Sequence, residues 1–319
     1  MGMNWAEERA RLFGIYSSNL ALYTALRDRF LCPMCGREFD ESALHTKPPE
    51  LCIAHIIPKA VGGTIYTLAC RACDNGLGSR FDSHRKDEQQ FHDLLLGRSS
   101  VEAVVRADGC QFPVDLRFNS AQRRIDVRVL PKHAAPGAFG RFIASWGEGS
   151  RSNVTFWTGD TRRVILSLLC SALLTMFRQY GYEYVLQSHI QDVRRLIQDP
   201  DAGPLPSIVT TIPAGATLAS GHPLSCPSIN VVTEPRDCSC FMIVLPGPSE
   251  LAAMRGVLIP GFGENAGRSY QTLLADPMKA ARFTMLDWHA VDAIADARSF
   301  GWGSRLWGRA VGVASGDRQ

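Results

Sequence analysis

Two Cys-x2-Cys pairs constrain this chain more than any other feature: Cys32-Pro-Met-Cys35 and Cys70-Arg-Ala-Cys73. Each pair fits a tight turn that aims two sulfurs at one ion about 2.3 Å away. Two such turns a few tens of residues apart have the layout of a four-thiolate structural zinc site. Gly36, directly after the first pair, supplies the backbone freedom such a knuckle needs. The remaining cysteines carry less. Cys52, Cys110 and Cys170 lie in apolar stretches and read as small core residues. His222, Cys226, Cys238 and Cys240 offer a second metal set, but Cys238 and Cys240 alternate ahead of Phe241-Met242-Ile243-Val244-Leu245 and read as strand residues.

Composition narrows the class. The chain has 319 residues, 45% of them hydrophobic and 20% charged, which suits a packed globular protein of about two domains. The most apolar stretch, Val164 to Phe177, falls short of the roughly 20 residues that a membrane span needs, so no membrane partner is expected. Trp5, Glu7, Glu8 and Arg9 lack the basic-then-apolar order of a signal peptide, and ten cysteines without a disulfide pattern suit a reducing compartment; a cytoplasmic location is expected. Net charge is +3, and residues 101–200 hold 13 basic against 9 acidic side chains. Their arginines (Arg123, Arg124, Arg128, Arg141, Arg151, Arg162 and Arg163) read first as a solvated surface and second as a phosphate-tracking patch.

Periodicity organises the chain. Apolar residues at three- to four-residue steps predict a helix over 4–30. Extended runs follow at Leu51 to Ile57 and Thr64 to Ala69, joined across Pro58 and Gly62-Gly63. A polar helix runs from Cys73 to about Leu96. The order is knuckle, strand, turn, strand, knuckle, helix, a unit too small to be stable without its metal. Residues 99–130 alternate in three strands, 161–179 and Tyr182 to Ile197 read as helices, and strands are expected at 208–212, 229–232, 241–245 and 257–259. A short helix is expected over Asp276 to Asp296. Gly261-Phe262-Gly263-Glu264-Asn265-Ala266 matches a dinucleotide loop only superficially, with no parallel-sheet repeat around it. The expected class is α+β, divided into a metal-bearing segment 1–98 and a larger α+β companion 99–319 of unknown type.

Between the knuckles stands Ala54-His55-Ile56-Ile57-Pro58-Lys59-Ala60-Val61-Gly62-Gly63, and after the second Asp74-Asn75-Gly76-Leu77-Gly78-Ser79-Arg80-Phe81-Asp82-Ser83-His84. Over residues 30–90 this text resembles the HNH endonucleases of the zinc-knuckle (treble-clef) type. Their pattern runs Cys-x2-Cys, His-Ile-x-Pro with Gly-Gly, then Cys-x2-Cys-Asn-Asn-x-x-Gly-Ser. The resemblance implies a ββα-metal nuclease with His55 as the general base that activates water. It also implies Asn75 and His84 in the catalytic set, a structural Zn2+ on Cys32, Cys35, Cys70 and Cys73, and a separate catalytic Mg2+ or Mn2+. Many HNH enzymes carry an acid just before the histidine as a metal ligand. Here that position is Ala54, so Asp74 and Asp82 are the carboxylates available to the catalytic ion, Asp74 also being placed to cap the helix start.

An imidazole titrates near neutrality and can take a proton from water at cellular pH. Lys59, Arg71, Arg80, Arg85 and Lys86 surround the motif as candidate phosphate contacts. The expected activity is phosphodiester hydrolysis in nucleic acid, with DNA the substrate favoured. By analogy the protein would be a restriction or anti-phage defence effector, with a homo-oligomer or a defence-system partner left open. The alternative is a catalytically inactive zinc module that binds nucleic acid or protein, with 99–319 as a ligand sensor.

Overall fold

The computed structural model describes residues 4–107, 110–130, 137–145, 153–156, 159–201, 208–212, 227–232, 240–245, 254–263, 266–267 and 283–285. It is mixed helix and sheet, as the sequence predicts, and divides into two compact units. One comprises residues 1–82 and 161–319; the other is 83–160. This partition by packing is not the linear 1–98/99–319 division, because the apolar core that receives the cysteine knuckles is built from both ends of the chain.

In the first unit, α1 (Trp5–Tyr23) starts at Asn4, whose side-chain oxygen accepts from the Ala6 N–H, and stops where Thr24 turns extended. That is seven residues short of the expected end. β1 (Phe30–Leu31) and β2 (Glu38–Phe39) pair around the first knuckle, and β3 (Leu51–His55) pairs antiparallel with β4 (Tyr66–Cys70), His55 opposite Tyr66. α2 (Arg71–Leu77) follows at once, then a π-helical segment Gly78–Asp82 that buries Phe81.

α5 (Thr161–Tyr180) is the central helix the sequence predicts, buried from Leu166 through Phe177. The expected helix from Tyr182 to Ile197 is instead two, α6 (Tyr182–Val185) and α7 (Ile190–Gln198). The break between them is held by tertiary bonds: the Gln187 side chain accepts from the Gly263 N–H at 2.9 Å, and His189 Nε2 lies 3.0 Å from Gly261 O. β9 (Val209–Ile212), β10 (Ser228–Val232), β11 (Cys240–Leu245), β12 (Met254–Pro260) and β13 (Phe283–Met285) form one antiparallel sheet in the order β13-β10-β11-β12-β9. The short helix expected over 276–296 is corrected at Phe283–Met285, which is a strand because β10 offers it an open ladder. The rest of that stretch lies outside the described residues, as do His222, Cys226 and Cys238. Cys240 is a buried strand residue.

The second unit holds α3 (Ser83–Leu95), β5 (Ser100–Ala107), β6 (Cys110–Asn119), β7 (Arg124–Val129), α4 (Ala138–Ser145) and β8 (Asn153–Phe156). The expected three-strand meander gains β8, giving the order β7-β6-β5-β8. Val101, Ala103, Val105, Phe112, Val114 and Leu116 alternate onto one face and bury against Leu94 of α3, with Phe142 of α4 packed beside Phe112.

Candidate nuclease site and metal centre

The four knuckle sulfurs converge. All lie within 4.8 Å of one another, and Cys35 Sγ sits 3.8 Å from Cys70 Sγ. A tetrahedron with ligands about 2.3 Å from its centre has edges of about 3.8 Å, so the donors fit a tetrahedral ion such as zinc. The turn forms as the sequence demands: Gly36 takes φ +70 and its N–H donates to Cys32 O at 2.8 Å. Burial pushes the Cys32 thiol well up.

Four thiolates on a divalent ion would leave two negative charges, and two guanidinium groups stand at the knuckle. Arg37 Nη2 lies 3.7 Å from Cys70 Sγ, and its pKa is raised by the Cys35 sulfur first. Arg194 of α7 is only 6% exposed, yet its Nε donates to Pro33 O at 2.8 Å inside the first knuckle. Its pKa is lowered by burial, with the Cys32 and Cys35 charges opposing that. Gln198 donates to Met34 O at 3.0 Å, and the Tyr182 hydroxyl both donates to Leu31 O and accepts from the Leu31 N–H, each at 2.7 Å. Sequence reasoning missed this grip, because nothing local in α6 or α7 announces a partner some 150 residues away.

His55 closes β3 and is partly exposed. Burial, then the Lys59 charge, holds its pKa below the ordinary value, favouring the neutral ring. Tyr66, its cross-strand neighbour, stands with ring centroid 6.4 Å away. Tyr66 is itself fixed: its hydroxyl donates to Glu8 Oε1 at 3.0 Å, Trp5 packs edge-on against it at 5.6 Å, and Arg178 donates to its carbonyl. The wall beside His55 is therefore built by α1 and α5, a second contribution the motif does not show.

Beyond His55 the chain turns tightly, with Gly62 at φ +86 and its N–H bonded to Lys59 O. A Cβ on Gly63 would stand 1.8 Å from Ile57 O, so only glycine fits there.

Side chains alternate along β3, so Cys52 and Ala54 share one face and His55 takes the other. The Cys52 face meets α2: Cys52 Sγ donates to Asp74 Oδ2 at 3.5 Å. Ala54 is 1% exposed, so a carboxylate at that position would point into the packed side that Asp74 occupies. Asp74 does not cap α2, which begins after Cys70 with no side-chain cap. Burial pushes the Asp74 carboxyl above its ordinary range; the Cys52 bond pulls it down and the Asp82 charge pushes it up further. Asp82, delivered by the π-helical segment, accepts from Ser167 Oγ of α5 at 3.2 Å. The Asp82 charge thus adds to the cost of ionising Asp74.

Asn75 is exposed on α2. His84 falls in the second unit, where its Nδ1 accepts from the Asp160 N–H at 3.2 Å and its carbonyl crowds Gly159. Of the five expected phosphate contacts, Lys59, Arg80 and Lys86 are exposed. Arg71 Nε is taken by Pro49 O at 2.5 Å, and Arg85 is 6% exposed, so these two serve packing.

The cysteine pairs, His55 on the paired strand and the helix after Cys70 now stand in one arrangement, and the family comparison agrees with it. Residues 32–90 match the family model of the HNH endonucleases. No curated protein and no solved structure gives a significant match to the chain. The HNH segment thus accounts for the metal-bearing hairpin and helix, and the rest of the chain is read from its own geometry. Among the described residues no helix is long and apolar enough to cross a membrane.

Proposed function

We propose that this protein is a divalent-metal-dependent HNH endonuclease that hydrolyses phosphodiester bonds of nucleic acid, DNA being the substrate favoured. The observation that carries the reading is a partly exposed histidine, its charged form disfavoured by burial, at the end of a strand held by a four-cysteine knuckle, within the segment that matches the HNH model. Cys32, Cys35, Cys70 and Cys73 hold a structural zinc.

His55 takes a proton from the attacking water at its ring nitrogen, the neutral form being the one that can accept it. Tyr66 and the turn at Gly62-Gly63 keep the ring in place, so little ordering is left for the reaction step. Lys59 and Arg80 hold phosphates and carry no sequence information. Asp74 and Asp82 are the oxygen donors for a Mg2+ or Mn2+ ion, which would offset charge on the scissile phosphate and the departing oxygen. Asn75 of α2 is the further member of the expected set within the first unit.

Supercoiled plasmid incubated with the zinc-loaded protein and Mn2+ or Mg2+ is expected to be nicked, and EDTA is expected to stop it. Absence of nicking with either cation would favour the second reading, an inactive zinc module that binds nucleic acid or protein. One observation favours that rival: Ala54 stands where many HNH enzymes carry an acid.

A further inference from the structure

The outer strand of the four-stranded sheet departs from how proteins treat exposed edges. β7 pairs with β6 on one side and, among the described residues, with no strand on the other. Bare edges recruit other strands, so they are normally kept short, charged, bulged, interrupted by proline or given an inward-pointing charge. β7 carries charges, Arg124, Asp126 and Arg128, but of both signs, and it has no bulge, proline or inward-pointing charge. Its six residues keep regular register with β6, and Ile125 and Val127 stand 54% and 49% exposed on the face where Val129 joins the core.

The backbone is poised for a second strand. The Leu130 N–H donates to Pro113 O at 3.1 Å, which makes that pair a hydrogen-bonded one. Hydrogen-bonded and non-hydrogen-bonded pairs alternate along an antiparallel ladder. Arg124, Asp126 and Arg128 therefore turn their N–H and C=O groups toward β6, and Ile125, Val127 and Val129 turn theirs outward.

The sequence Arg124-Ile125-Asp126-Val127-Arg128-Val129 is complementary to itself in an antiparallel register. With Val127 opposite its own copy, Ile125 meets the copy's Val129 and Asp126 meets the copy's Arg128, twice over by symmetry. Asp126 already pairs with Arg124 of its own strand at 2.7 Å and would then lie between two guanidinium groups. Centring the pairing on Asp126 would set Asp126 against itself and Arg124 against Arg128. Centring it on Arg128 would set that arginine against itself. Centring it on Ile125 would also set Arg124 against Asp126, but it would pair only residues 124–126 of the strand; charge complementarity and overlap together select the register that joins the exposed apolar residues.

We propose that the outer edge of β7 is a homodimer seam, at which two copies of this chain pair antiparallel about Val127 and join their sheets into one. The inference does not rest on the nuclease reading. A seam this short is smaller than a standard stable interface, so association should depend on concentration.

The test is sedimentation equilibrium of the full zinc-loaded chain over a dilution series, with melting curves to confirm folding. The wild type is expected to pass from one to two chains as concentration rises. Val127→Lys and Val127→Glu each place like charges on the two-fold axis and should each weaken association by about tenfold or more. An equal mixture of the two should restore it, because Lys then faces Glu. Val127→Pro serves if a charged variant fails to fold: it removes only an outward N–H and should also abolish pairing. A wild type that stays a single chain at every concentration, its edge left for some other extended partner, would overturn the proposal. So would a dimer that these substitutions leave intact, or a mixture that fails to recover.

Discussion

At His55 two causes act in the same direction: burial and the Lys59 charge both disfavour the imidazolium. The acid limb of cleavage should therefore lie below the ordinary histidine value of about 6.5. Lys59→Gln removes the second cause and should move that limb upward while burial still holds it below 6.5; a pH–rate profile of both proteins measures the shift. The same sign governs stability. As pH falls through about 6.5 the unfolded chain takes the proton first, so His55 costs stability below that value and none above it. The placement of His55 at the end of the first hairpin strand was legible because its neighbours in sequence are its neighbours in the hairpin. The fate of Arg71 and Arg85 was not: whether a guanidinium faces solvent or a carbonyl such as that of Pro49 is decided by packing that the motif does not encode.

The element that positions the histidine is the β3–β4 hairpin, and its tightest point is Gly63. A methyl group there would meet the Ile57 carbonyl, which is backbone and cannot swing aside. Gly63→Ala should cost at least about 1–3 kcal/mol, read as a lowered denaturant midpoint, and should lower cleavage by displacing His55. Periodicity located α5, β3, β4, β5 to β7 and β9 to β12, as alternating or continuously apolar runs, and missed β8 and β13. It failed where a distant partner decides the conformation. The bonds from Gln187 and His189 to the loop after β12 split α6 from α7, and β10 draws residues 283–285 into a strand.

Across the whole molecule the metal centre and the central helix share one core. Tyr16 stacks on Phe177 of α5 at 4.3 Å, its hydroxyl lies 2.6 Å from Thr67 Oγ1 of β4, and Tyr182 clamps the strand that leads into the first knuckle. Stripping zinc with a chelator should therefore lower the Tm of the unit formed by residues 1–82 and 161–319 as a whole, visible by calorimetry together with loss of the metal. Tyr182→Phe removes the hydroxyl from two backbone groups of Leu31 and should destabilise that unit by about 1–3 kcal/mol without removing the zinc ligands.

What remains is whether the imidazole on this hairpin does the chemistry. Metal-dependent plasmid cleavage by His55→Ala, set beside the wild type at equal zinc content and equal Tm, is the direct measurement. Activity falling to the uncatalysed background while zinc and fold are retained is the expected result; cleavage at the wild-type rate would contradict the account.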